Sequence, residues 1–337
     1  MPIPIHRPFA RRRLLIALGA GTLVAPFGSL AQQQGKIWRV GFLVLRGRPV
    51  SLDTDFLGAF QRGMRELGYI EGKNLIIEWR FADGKAERLP SLAAELVRLK
   101  VDVIVSAGTA AISAAKNATT TIPIIMGNAN DPVGSGFVRS LARPGGNITG
   151  LSNVTTDISP KHLEMLLTML PRLSHVTVLV NPANPSHSAI LTSTQAAAQK
   201  ASIKILPIEA RTPQEVETAF STMIQNSTGA IMVIRDAVFN QQAHQIAELA
   251  TRNRLPSVAA TREYVESGGL MSYGQNIAEG FRNAATYVDK IFKGAKAGEL
   301  PIEQPTKFHL AINRRTAKAL GIAIPQELLL RADEVID

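Results

Sequence analysis

Short apolar, β-branched runs alternate with helix-like segments along almost the whole chain, and this alternation most constrains the fold. The runs are continuously apolar, which is typical of strands buried on both faces, and the segments between them carry apolar residues at three- and four-residue spacing. Together they predict an α/β protein with parallel sheets covered by helices. The predicted strands are Arg39–Leu45, Leu75–Phe81, Val103–Ala107, Ile122–Gly127, Ile148–Ser152, Val176–Val180, Lys204–Ile208, Ala230–Ile234, Ser257–Ala260 and Leu270–Tyr273. A Lys/Gly/Pro-rich stretch, Lys293–Pro305, leads to the segment Lys307–Ile312 before the last helix. The predicted helices include Phe56–Leu67, Leu89–Leu99, Ala110–Ala118, Ala189–Ala201, Glu215–Ile224, Gln241–Asn253, Ile277–Phe292 and Arg314–Leu320.

The pattern runs once to about residue 155 and restarts near Val176, so it predicts two doubly wound, Rossmann-like lobes. The polar, turn-rich stretch Thr155–Lys161 is the expected first crossing between the lobes. The helix Ile277–Phe292 is expected to return to the first lobe. We therefore assign residues 36–155 and about 276–300 to the N-terminal lobe, and residues 156–275 and about 305–337 to the C-terminal lobe.

The first 31 residues have the three parts of a cleaved export signal. Arg11–Arg13 precede an uncharged apolar run from Leu14 to Val24, and Ser29-Leu30-Ala31 is a small-x-small cleavage site. The run is shorter than the about 20 residues needed to span a bilayer. The paired arginines resemble a twin-arginine signal, but an ordinary Sec signal fits as well, and that choice stays open.

Composition favours a free, exported globular protein. The formal charge of +10 includes four arginines of the signal, and the remaining basic residues are scattered among acids. No basic stripe interleaved with aromatic residues is present, so we expect no nucleic-acid partner. The sequence has no cysteine, which excludes disulfides, thiolate metal sites and a lipid-anchored cysteine. The expected location is the bacterial periplasm, with the signal cleaved near Ala31, and the expected state is a monomer.

Polar loops follow many of the predicted strands. In an open parallel sheet, ligands bind beyond the carboxyl ends of the strands, where helix N-termini offer free N–H groups. Thr109 opens a helix after one strand and serves either as a plain N-cap or as a ligand contact. The candidate ligand-binding residues at strand ends are Thr109, Asn128, Asn130, Asp131, Asn153, Asn181, Asn184, Arg235, Asp236 and Tyr273.

Signatures of catalysis are weak in this sequence. The six histidines form no HxxxH-type pair with another histidine or a carboxylate, so no metal site is expected. No Gly-x-Ser-x-Gly elbow, Walker A loop or GxGxxG fingerprint after the first strand occurs. We therefore expect a protein that is not an enzyme and carries no cofactor.

Several stretches spread along the chain match one known family. They are Phe60–Gly72, Ile122–Ile125, Asp131–Gly136, Leu141–Gly150, Asn181–Pro185, Gly268–Gly274, Gln304–Phe308 and Ala317–Pro325. Together they resemble the substrate-binding proteins of ABC transporters with the type I periplasmic binding fold, whose characterised relatives bind tryptophan or tyrosine. The resemblance covers about Lys36 to Asp337.

The resemblance implies two lobes joined by a multi-strand hinge that close over one solute. It also implies that Asp236 takes the ammonium of an amino acid and that Thr109 meets the carboxylate, with Asp131 and Asn153 on the remaining cleft loops. Arg235 departs from the family pattern, in which a small or apolar residue usually stands there. It either neutralises Asp236 or binds a second carboxylate, and the scarcity of tyrosine and tryptophan also argues against an aromatic ligand.

The sequence thus predicts a periplasmic receptor that captures a small polar or amino-acid-like solute and delivers it to an inner-membrane ABC permease with its ATPase. One alternative is a sensor that presents the bound solute to a membrane signalling receptor. The effector domain of a bacterial repressor has similar lobes, but a helix-turn-helix stands there in place of the signal. A hydrolase or isomerase is the fourth hypothesis.

Overall fold

Two parallel-dominated sheets, each sandwiched between helices, organise the chain. The structure is a computed structural model and describes residues 36–53 and 55–337, so the predicted signal segment lies outside the described residues. The first sheet is formed by β1 (Trp38–Val44), β2 (Leu75–Phe81), β3 (Val103–Ala107), β4 (Ile124–Asn130) and β5 (Ile148–Asn153). Its order is β2-β1-β3-β4-β5, and all of its strands are parallel.

The second sheet has the order β12-β11-β10-β9-β8-β6-β7. Its strands are β6 (His175–Val180), β7 (Lys204–Glu209), β8 (Ala230–Val233), β9 (Ser257–Ala259), β10 (Met271–Gly274), β11 (His309–Asn313) and β12 (Glu334–Ile336). β11 pairs antiparallel to β10, unlike the all-parallel sheet expected from the sequence. The fold class of two α/β lobes is confirmed, with this one antiparallel pairing added.

Helices cover both faces of each sheet. They are α1 (Phe56–Glu66), α2 (Leu89–Arg98), α3 (Thr109–Ala118), α4 (Thr155–Met169), α5 (His187–Lys200), α6 (Pro213–Gln225), α7 (Ala237–Gln241), α8 (Ala243–Arg252), α9 (Arg262–Glu266), α10 (Ile277–Phe292), α11 (Arg314–Leu320) and α12 (Gln326–Arg331). Four apolar cores result, one on each face of each sheet. α10 packs on α1 and β4, so a late segment of the chain completes the core of the first sheet.

Three short segments join the two sheets, at Val154, at residues 275–276 and at residues 300–308. In the last of these, the backbone of Glu303 bonds to Gly150 and Ser152, so the returning chain lies beside β5 at the edge of the first sheet. A connection made of three extended segments restrains twisting of the lobes yet permits bending, as in hinged proteins.

The first crossing differs from the expectation that Thr155–Lys161 is a turn, because this stretch begins α4. Asn153 Oδ1 accepts from the Thr155 N–H at 3.1 Å and starts the helix directly after β5. Pro160 lies inside the helix and cannot donate to the Thr156 carbonyl. Ser193 Oγ of α5 donates to that carbonyl instead, at 3.0 Å, which makes the proline tolerable.

Candidate functional site

A cavity of about 280 Å³ lies between the carboxyl ends of the strands of the two sheets. Residues that end or follow β1, β3, β4 and β5 line one side of it, and residues that follow β6 and β8 line the other. Open α/β sheets bind ligands at this place. The volume is near the lower end of the about 300–1,000 Å³ of small-molecule sites, so the cavity suits a small solute.

On the side of the first sheet, the N-terminus of α3 points to the cavity. Gly108 holds the N-cap position at a φ of +83°, and no side chain among the described residues caps the helix. Thr109 is therefore the first helical residue, and its predicted alternative role as the N-cap is wrong. The first N–H groups of a helix lack intrahelical acceptors and lie at the positive end of its dipole. Since Gly108 and Thr109 line the cavity, an anionic group can be bound there.

Three asparagines complete the polar face of the first lobe. Asn128, Asn130 and Asn153 end β4 and β5, line the cavity and are buried. The amides of Asn128 and Asn153 lie 2.5 Å apart, and Asn130 Nδ2 donates to Thr156 Oγ1 at 3.3 Å. The Asn130 Oδ1 atom is buried and has no hydrogen-bond partner. It is an acceptor that a ligand N–H or O–H can satisfy.

On the side of the second sheet, Asp236 stands at the start of α7 with its side chain only 2% exposed. Its Oδ1 accepts from the Val238 N–H at 2.8 Å and from Asn181 Nδ2 at 3.1 Å. Its Oδ2 accepts from Asn184 Nδ2 at 2.8 Å. These donors are neutral, so they orient the carboxylate without cancelling its charge, and Oδ2 keeps acceptor capacity for one further donor.

His187 lies beneath this carboxylate as a neutral ring. Its Nδ1 accepts from the Asn181 N–H at 2.8 Å, and its Nε2 therefore carries the proton that it donates to the Arg235 carbonyl at 3.2 Å. Burial lowers the pKa of His187, although the nearby Asp236 opposes this shift. His187 is neutral and therefore adds no positive charge beside Asp236.

Arg235 reaches across the cavity from the second lobe to the first. When the Asn128 amide is oriented with its oxygen toward Arg235, that oxygen accepts from Arg235 Nη2 at 2.5 Å, from Arg235 Nη1 at 3.0 Å and from Gln275 Nε2 at 3.0 Å. Burial lowers the pKa of Arg235 to about 10, so the guanidinium stays charged at neutral pH. This contact joins the two lobes, and the cavity is therefore closed over on this side.

An apolar wall faces these polar groups. Phe56 and Phe281 stack with ring centroids 5.1 Å apart, and both line the cavity together with Val44, Ile190 and Ile277. Arg46 lies over the Phe56 ring at 4.9 Å and forms an ion pair with Asp55 at 2.9 Å. The cavity is thus apolar on one side and carries charged and amide groups on the other.

The structure brings most of the sequence-predicted candidates to this cavity. Seven of them line it: Thr109, Asn128, Asn130, Asn153, Asn184, Arg235 and Asp236. Asn181 does not line it but supports Asp236 from behind.

Asp131 and Tyr273 are not among the cavity-lining residues, which differs from the sequence prediction. Asp131 is exposed and its Oδ1 accepts from the Gly134 N–H at 2.8 Å, so the carboxylate closes its own turn. Tyr273 packs its ring near Phe308 at 5.8 Å, and its carbonyl accepts from His162 Nε2 at 2.6 Å. Both residues lie at strand ends, but the Asp131 side chain closes a turn and the Tyr273 ring packs near Phe308.

Other lining residues were missed by the sequence reasoning. Arg46 lies two residues beyond the end of β1, so the strand-end rule that selected the other candidates could have found it. Phe56 and Phe281 have the helical spacing of core residues, and nothing in the pattern separates a core phenylalanine from one that lines a cavity. Glu263 and Gln241 also line it, from the loops and short helices of the second lobe.

Neither a metal-binding cluster nor a membrane-spanning helix is found among the described residues. No group of three or more histidine and acidic side chains in residues 36–53 and 55–337 is arranged to hold a metal ion. Over the same ranges, no helix combines the length and the apolar character needed to cross a membrane.

Comparison with known proteins identifies the family. The family model described as ABC transporter substrate binding protein matches residues 50–336. A tyrosine-binding protein from Clostridioides difficile (strain R20291) is 28% identical over 272 residues, which covers 81% of this chain and 78% of the relative.

Two solved structures differ in how well they match. An ABC domain from Streptococcus pneumoniae in complex with L-Trp has a TM-score of 0.82 at 24% identity, covering 89% of this chain and 99% of that one. A ligand-free, open substrate-binding protein from Clostridium difficile has a TM-score of 0.63 at 25% identity, with the same coverage. At nearly equal identity, the TM-score to the L-Trp-bound structure is the higher of the two. This chain has the type I periplasmic binding fold and belongs to the family of ABC transporter substrate-binding proteins, a family of solute binders and not of enzymes.

Proposed function

We propose that this protein binds a zwitterionic, amino-acid-like solute in the cavity between its lobes and delivers it to an ABC permease with its ATPase. The observation that carries the proposal is the pair of opposite charges on facing walls. The uncapped N-terminus of α3 with Thr109 offers a site for a carboxylate, and Asp236 offers a site for an ammonium. A neutral sugar would leave Asp236 buried and uncompensated.

The arrangement also supports binding by closure. The anion site belongs to the first lobe and the ammonium site to the second, so a single zwitterion contacts both lobes. A ligand shifts the protein toward the closed arrangement only if it binds that arrangement more tightly than the open arrangement. A zwitterion that contacts both lobes meets this condition, because one of its two contacts is lost when the lobes separate. The similarity to a tyrosine-binding relative supports an amino acid as the solute class.

The lobes that move are proposed to be residues 36–155 with about 276–300, and residues 156–275 with about 305–337. The packing of α10 on α1 supports the first assignment. Export to the periplasm, with cleavage near Ala31 by the Sec or twin-arginine route, stays a prediction of the sequence, and so does the monomeric state.

Dialysed, mature protein provides the test. Thermal unfolding is followed with each of the twenty L-amino acids and, as a comparison, with D-glucose and D-ribose. A ligand that binds only the native state adds RT ln(1 + [L]/Kd) of stability, or about 2.7 kcal/mol at a hundredfold excess over Kd. We expect stabilisation by one class of amino acid, and a stoichiometry of one in native mass spectrometry. Stabilisation by the sugars alone, or by no solute, would contradict the proposal. The bound solute should be recovered chemically unchanged.

A further inference from the structure

Arg235 forms no ion pair with an acidic side chain among residues 36–53 and 55–337. It follows β8, is half-buried and lines the cavity. Among the described residues, no carboxylate oxygen forms an ion pair with it within 4 Å, whereas Arg46 on the other side of the cavity is paired with Asp55. Asp236 is its neighbour in sequence, but that side chain turns to Asn181 and Asn184. Arg235 thus does not neutralise Asp236 through a direct ion pair.

The hydrogen bonds of the guanidinium are also incomplete. Its side-chain acceptor within the described residues is the single oxygen of the Asn128 amide. A guanidinium has five N–H donors in a fixed planar fork that matches a carboxylate. Glu263 lies near enough to raise the pKa of Arg235, but its side chain is exposed at the cavity rim and makes no ion pair with it. Donors of Arg235 therefore remain for a group inside the cavity.

An ordinary amino acid has one carboxylate for the N-terminus of α3 and one ammonium for Asp236, the two binding positions proposed above. With the α-carboxylate proposed at the α3 N-terminus and the ammonium at Asp236, Arg235 is a further cavity-lining charge for which an ordinary amino acid offers no partner. A buried charge without a partner is unfavourable, and an apolar ligand side chain would displace water from Arg235 without replacing it.

We infer that the solute carries a second carboxylate, or an equivalent anionic group, which Arg235 binds in the closed cavity. This assignment rests on the proposed amino-acid function and names the acidic α-amino acids as its substrate class. The apolar wall at Phe56 and Phe281 permits an apolar body between the α-carbon and the second anionic group.

Matched ligand pairs test the inference. L-Glutamate and L-glutamine have nearly the same shape and differ in one charge, and 4-carboxy-L-phenylalanine and 4-carbamoyl-L-phenylalanine form a second pair with an aromatic body. Isothermal titration of the mature protein should give at least one carboxylate that binds about tenfold or more tightly than its amide, as expected for exchanging a neutral hydrogen bond for a charge-assisted one.

Arg235→Gln keeps a donor for Asn128 but removes the charge, so the preference for the carboxylate should fall to about threefold or less, because the charge-assisted bond is then absent. Arg235→Lys should retain part of the preference. Arg252→Gln removes an exposed positive charge on α8 and should leave the preference unchanged, which controls for net charge.

The outcomes separate the inference from the proposed function. Amides or neutral amino acids that bind as tightly as the carboxylates would overturn the inference and leave the function intact. An unchanged preference in Arg235→Gln would also overturn it. Absence of binding by every amino acid would overturn both. Circular dichroism of Arg235→Gln establishes that the variant is folded before its titration is interpreted.

Discussion

Replacing Asp236 with alanine should destabilise the second lobe as well as weaken binding. The carboxylate caps α7 and accepts from the amides of Asn181 and Asn184. Loss of an N-cap costs about 1 kcal/mol. Each buried amide donor left without an acceptor costs about 1–3 kcal/mol, although water entering the cavity can satisfy part of this demand. These contributions sum to about 3–7 kcal/mol, and partial hydration of the freed amides brings the expected total to about 3–5 kcal/mol.

Tryptophan fluorescence and far-ultraviolet circular dichroism report on different parts of the molecule, so together they show which lobe a substitution destabilises. Trp38 and Trp79 both pack in the core of the first sheet, so tryptophan fluorescence follows that lobe, whereas far-ultraviolet circular dichroism follows both. In urea, Asp236→Ala should lower the dichroism midpoint. If the lobes unfold separately, the fluorescence midpoint should change less.

Asp157→Ala is the control, because Asp157 is an exposed residue in the first turn of α4. We expect a change of about 0.5 kcal/mol or less for an exposed site of this kind. A dichroism transition of Asp236→Ala within that same margin of the unmodified protein would show that the hydrogen bonds of Asp236 do not stabilise the fold. That result would refute the reasoning.

Three further predictions concern other groups. Burial lowers the pKa of His162 to about 4, so below pH 6.5 the native state binds fewer protons than the unfolded state. The free energy of unfolding should therefore be at its full value above pH 6.5 and fall by about 3 kcal/mol toward pH 4. His162→Gln should flatten this part of the plot of urea midpoint against pH, whereas the control His175→Gln, at an exposed position, should not. Equal plots for the two variants would contradict the assignment of this pH dependence to His162. Thr109→Val should weaken binding of an amino acid about tenfold in titration, through loss of one hydrogen bond to a carboxylate, and an unchanged Kd would remove Thr109 from the site. Phe281→Ala should cost about 3–5 kcal/mol in urea unfolding because its ring is 1% exposed, whereas Leu330→Ala, at 79% exposed, should cost almost nothing. Similar losses for both would be incompatible with the described core.

Periodicity predicted the elements whose local pattern is strong. The bounds of β2, β3 and α10 agree with the expected ones, since continuous apolar runs and a helical apolar face mark them clearly. The start of α4 was not predicted, because Pro160 and several polar residues locally disfavour a helix. A hydrogen bond from Ser193, distant in sequence, compensates there. The antiparallel direction of β11 follows from how the returning chain lies beside β5, which short-range pattern does not encode.

The strand-end rule predicted which loops surround the cavity but not which way each side chain points. Thr109, Asn153 and Asp236 line the cavity as that rule suggests, whereas Asp131 turns back to its own loop. The direction depends on the local φ, which is +39° at Asp131, and on neighbours from other elements. The lining phenylalanines were missed for a different reason, because their spacing is that of any buried helix face.

The return of α10 to the first sheet sets the order in which the chain can complete its folding during synthesis. The core against α1 contains Phe281, Tyr287 and Val288, which the ribosome makes only after most of the second sheet. The second sheet in turn lacks β11 and β12 until the end of the chain. Neither lobe can bury its full core on a nascent chain, although domains often fold from the N-terminus as they emerge. A newly made chain therefore stays accessible to chaperones and to a translocase that requires unfolded substrates until α10, β11 and β12 have been made.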